Sequence, residues 1–60
     1  MSPADKARVF AIARGEAVEA AAGVEIAALC GEARECDAHE VARIANRLVA
    51  LLTGLIRVTR

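Results

Sequence analysis

Between Val9 and Leu29 the chain reads VFAIARGEAVEAAAGVEIAAL, an Ala-rich run without proline, and this run limits what the remainder can do. Ala is the strongest helix former, and the charges are spaced so that they split a helical surface into two apolar arcs. One arc carries Phe10, Ala13, Ala17, Ala20, Ala21, Val24 and Ala28. The other carries Ala11, Gly15, Val18, Ala22 and Leu29, with Ile26 at its margin. A helix that is apolar on two sides needs covering on two sides, so a single neighbour is not enough.

The helix has a clear beginning. Ser2-Pro3-Ala4-Asp5 supplies an N-cap, a proline at the first helical position where its missing N–H costs nothing, and an acid completing a capping box. The predicted span is residues 3–30, about 40 Å long, with Gly31 as the left-handed residue that closes it. Gly15 and Gly23 lie inside, each costing about 1 kcal/mol relative to Ala, and close approach of another backbone would offset that cost. Gly31 to Cys36 is polar and aperiodic, which predicts a loop over 31–36 and an antiparallel neighbour.

Asp37-Ala38-His39-Glu40 repeats the capping pattern and predicts a second helix over about 37–58. Its apolar stripe is read as Val41, Ile44, Ala45, Leu48, Leu51, Leu52 and Leu55, with Ile56 at the edge. His39, Arg43, Asn46, Arg47, Ala50, Thr53 and Arg57 fall opposite, and Arg57 and Arg60 sit where the helix dipole favours cations. The expected fold class is all-α, an antiparallel two-helix hairpin forming a single domain over 1–60. In the predicted hairpin core, Phe10, Ala13, Ala17 and Val24 meet Val41, Ile44, Leu48, Leu51, Leu52 and Leu55.

Size then becomes an argument about company. Sixty residues require roughly 3,600 Å² of apolar burial to offset about 90 kcal/mol of ordering entropy, more than two helices hide between themselves. The expectation is a hairpin that self-associates into a four-helix bundle or larger helical oligomer, with Ala11, Gly15, Val18, Ala22, Ile26 and Leu29 lining the contact. Formal net charge is zero and Phe10 is the one aromatic residue, so neither a global field nor a stacking platform points to nucleic acid. The N-terminal segment has no signal-peptide pattern and no stretch suits a bilayer, giving the expectation of a cytoplasmic protein with reduced thiols and no membrane partner.

Two phrases carry a family likeness. FAIARGEAVE, from Phe10 to Glu19, and LVALLTGLIR, from Leu48 to Arg57, resemble the third and last helices of the bacterial "four helix bundle protein" family, first noted in intervening sequences of ribosomal RNA genes. The likeness covers this chain and about the second half of a typical member. It implies small helical bundles that assemble, with Gly15 as a close-contact position and Glu19 as a polar partner, and Glu16 standing where the family has Ser. A related accessory protein of diversity-generating retroelements binds nucleic acid. The family's first hairpin is missing here, so the resemblance implies either two copies rebuilding four helices or a second chain supplying that hairpin.

Catalytic signatures are weak. Cys30, Cys36 and His39, in a C-x5-C-x2-H spacing, offer three zinc ligands where a structural site wants four, and the thiols are alternatively free or paired. Glu16, Glu19 and Glu25 lack the Glu-x-x-His pairs of a carboxylate metal bundle and read as solvated strips or inter-chain ion pairs. No nucleophile triad or phosphate loop is present. The expectation is a non-enzymatic interaction module without a cofactor. The alternative is a nucleic-acid-binding accessory protein, with His39, Arg43, Arg47 and Arg57 as a basic ridge; from Val41 to Arg60 there are four Arg and no acid.

Overall fold

A computed structural model describes residues 1–59, which form two helices joined by a tight turn. Helix α1 spans Pro3–Leu29 and helix α2 spans Glu35–Thr59. Ser2 caps α1 from an extended conformation, its Oγ accepting from the Asp5 backbone N–H at 3.1 Å and donating to Asp5 Oδ2 at 2.9 Å. Arg60, grouped with Arg57 in the dipole reading, lies outside the described residues.

The far end of α1 closes in a Schellman motif. Glu32 N–H donates to the Ala27 carbonyl at 2.8 Å and Gly31 N–H to the Ala28 carbonyl at 3.1 Å, with Gly31 at φ 78. Reversal is therefore complete sooner than the sequence suggests. Helix α1 ends at Leu29, one residue before the expected end at Cys30, and α2 starts at Glu35, two before the expected start at Asp37, so the turn is residues 30–34 rather than 31–36. Asp37 is not the N-cap. It sits in the first turn with Glu35, where acids suit the positive end of the helix dipole, and accepts from Arg34 Nε at 2.9 Å.

The helices pack side by side along a rod 43 × 14 × 12 Å. Its radius of gyration, 13.8 Å, exceeds the roughly 10 Å of a compact chain this long, so much of the surface has no interior to retreat to. Toward α2, helix α1 presents Ala7, Phe10, Ala17, Ala21, Val24 and Ala28, all half-buried at alternating steps of three and four, with Ala13 beside them. Arg14 fills the remaining place in that series and crosses to α2, its Nε donating to Thr53 Oγ1 at 2.9 Å. Thr53 Oγ1 donates in turn to the Val49 carbonyl at 2.7 Å.

The stripe that α2 turns toward α1 is Ala38, Ala42, Ala45, Val49, Leu52 and Ile56, of which Ala38, Ala45 and Leu52 are buried. This corrects the expected core. Leu52 belongs to it and Val41 is half-buried at its border, but Ile44, Leu48, Leu51 and Leu55 are 52%, 42%, 66% and 43% exposed. The reason is that α2 carries two heptad stripes, not one. The first has small residues, Ala38, Ala42 and Ala45, toward the turn and Val49, Leu52 and Ile56 beyond them, and it packs against the Ala-rich surface of α1. The second, Val41, Ile44, Leu48, Leu51, Leu55 and Val58, also steps by three and four, and it consists wholly of larger aliphatic residues. Thr53 is likewise drawn out of its expected exposed position and half-buried by the Arg14 contact, while Ala20 of α1 is exposed.

Candidate functional site

At about 100° per residue, Ile44, Leu48 and Leu55 stand roughly a quarter-turn from the α2 contact line, on the side away from Thr53. On α1, Val9, Glu16 and Ala20 stand a similar rotation from the contact line, on the side away from Arg14. Arg14 and Thr53 touch, so those two sides form one continuous face of the rod. Eleven large apolar side chains are exposed among the described residues, and seven of them, Val9, Ile12, Ile44, Leu48, Leu51, Leu55 and Val58, lie on this face or its outer edge. An exposed patch on that scale is unusual for a free-standing surface. We refer to it as the leucine face.

A second surface, called the back of α1 below, lies on the Arg14 side of that helix, away from the leucine face. Ala11, Gly15, Val18, Ala22, Ile26 and Leu29, the expected oligomer contact, are all exposed and share one side of the helix. Gly15 does not mark a close approach within the hairpin, since nothing lies within 4 Å of where its Cβ would be, and the same holds for Gly23.

The basic ridge is present but less basic than its sequence. His39, Arg43, Arg47 and Arg57 are all exposed on α2. Arg43, however, grips Glu40 through two bonds, Nη2 to Oε1 at 2.6 Å and Nε to Oε2 at 3.1 Å. The hydrogen bonds from Arg43, then its positive charge, hold the Glu40 carboxyl below its ordinary value, and Glu40 raises Arg43 in return. A guanidinium so engaged has fewer donors to offer a phosphate. Arg47 and Arg57 pair with no described acid.

Near the turn, Glu25, Leu29, Glu35 and His39 border a shallow open cleft. Cys30 and Cys36 are free thiols and exposed, and among the described residues no three His, Cys, Asp or Glu side chains are grouped to hold a metal. Glu16, Glu19 and Glu25 are all exposed. Among the described residues no helix is long and apolar enough to cross a membrane.

Val9, Ile12 and Val58 received no role from the sequence, yet they extend the leucine face at both of its borders. The series from Val41 to Val58 was the signal for Val58, hidden by merging two stripes into one. No protein-family model matches the chain, and neither a curated protein nor a solved structure does so.

Proposed function

We propose that this chain is a self-associating helical hairpin, a structural or interaction module rather than an enzyme, whose working surface is apolar and whose partner is another copy of itself. One observation carries it: the hairpin buries Ala38, Ala45 and Leu52 while leaving a heptad series of large aliphatic residues in water on the same helix. Heptad-spaced Leu and Ile without a covering helix is half of a coiled-coil seam. The likeness to the four helix bundle protein family supports the same reading, because two hairpins together supply four helices.

Sedimentation equilibrium tests it. The expected mass is a small multiple of 6.3 kDa at micromolar concentration. A compact, cooperatively melting monomer overturns it, and a stable complex with a different polypeptide from the native source would replace self-assembly by completion of a bundle in trans. A second reading, nucleic-acid binding, is favoured only by the exposure of Arg47 and Arg57 without a described acidic partner. Salt-sensitive binding in a titration would support it, and absence of binding at low salt would remove it.

A further inference from the structure

Resting on the self-association proposed above, we infer that a second copy covers the leucine face, with the two helical rods related by a twofold axis running along their length, and that Arg47 of each copy pairs with Glu19 and Glu16 of the other. In this arrangement α2 of one copy lies over α1 of the next. All neighbouring helices are antiparallel, as in an up-down bundle.

Area points to one more copy rather than to a larger covering. The hairpin exposes 4523 Å², whereas a compact monomer of its 6.3 kDa mass exposes about 3,700 Å². The excess of roughly 800 Å² equals what each partner contributes to a standard stable interface. Shape agrees with it. The large stripe of α2 needs a surface of small residues, and the facing side of α1 supplies Ala13, Ala20 and Ala27.

Charge selects the axis. Arg14 lies beside Thr53, so stepping six residues toward the turn along both helices brings Ala20 level with Arg47. A lengthwise twofold preserves levels, and it therefore sets Arg47 of one copy beside Glu19 and Glu16 of the other, on the rim of the leucine face. The competing twofold, across the rods, lays α1 upon α1 and brings Glu16 and Glu19 against their own counterparts. Acid then meets acid, which disfavours that packing. Arg47 has no described acidic partner within its own chain, whereas Arg43 is already engaged by Glu40.

The test is solution mass on the full chain and four variants, with helicity followed by circular dichroism. The wild type is expected as a dimer, Leu51→Glu as a monomer, and Val18→Glu, on the back of α1, as a dimer. Glu19→Lys should weaken the dimer by roughly tenfold through two symmetric rim pairs, and the double reversal Glu19→Lys with Arg47→Glu should recover the wild-type constant. Leu51 is exposed in the hairpin, so loss of mass in this variant reads as lost contact between copies rather than as damage to the hairpin's own core. Persistence of the Leu51→Glu dimer, or dissociation by Val18→Glu alone, overturns the assignment to the leucine face while self-association stands. No recovery in the double reversal overturns the lengthwise twofold. A wild type that is a compact monomer at micromolar concentration overturns self-association itself.

Discussion

Gly31 and Gly15 are both glycines, and the hairpin treats them oppositely. Gly31 at φ 78 is in the left-handed region, where an L side chain is strained, and it makes the bond that turns the chain back. Gly31→Ala is expected to lower the stability of the hairpin by about 1 kcal/mol, seen as an earlier thermal transition. Gly15 has open space where its Cβ would be, so Gly15→Ala should add about 1 kcal/mol of helix stability, unless a partner lies against it. Destabilised assembly in that variant would place a neighbouring backbone on the back of α1. At the same scale, the Glu40–Arg43 pair gives a sign for acid titration. Glu40 is depressed in the folded chain, so its contribution is present above the ordinary carboxyl value of 4.5 and fades as pH falls through the lower folded value. Helicity of wild type should decline over that range by a small amount that Glu40→Gln lacks.

Among elements, α2 is where sequence and structure part. Both helices, the Ser2 cap and the left-handed Gly31 were legible, because caps and turns are local events written in adjacent residues. Which side of α2 meets α1 was not, because apolar residues cover well over a third of its circumference and periodicity ranks them by hydropathy alone. Leu is more apolar than Ala, yet the stripe that includes Ala38, Ala42 and Ala45 faces inward and Ile44, Leu48, Leu51 and Leu55 do not. A pair of substitutions separates the alternatives. Leu52→Ala should cost the dilute hairpin about 2–3 kcal/mol in thermal or urea unfolding, whereas Leu51→Ala, at 66% exposure, should stay within about 0.5 kcal/mol. The reverse order would put the leucine stripe against α1. The basic ridge was legible as a row of residues but not as a field, because the bidentate Glu40 contact depends on side-chain rotamers that spacing alone does not specify.

For the whole molecule, folding and association are expected to be coupled. Three buried residues among those described are a small core for a chain that must order two long helices, so stability should depend on how often copies meet. Each tenfold rise in protein concentration is expected to raise Tm by roughly 3–6 °C; a concentration-independent transition would count against coupling. The tight turn adds a directional consequence. It returns α2 to where α1 began, so Met1 and Thr59 share one pole of a rod 43 Å long. Two rods joined by a lengthwise twofold keep that sense, giving an object with a head of turns, carrying both pairs of thiols, and a tail of termini. Dyes attached to the two N-termini would then sit as near neighbours, and cargo fused there would be displayed together on one side of whatever the object is anchored to.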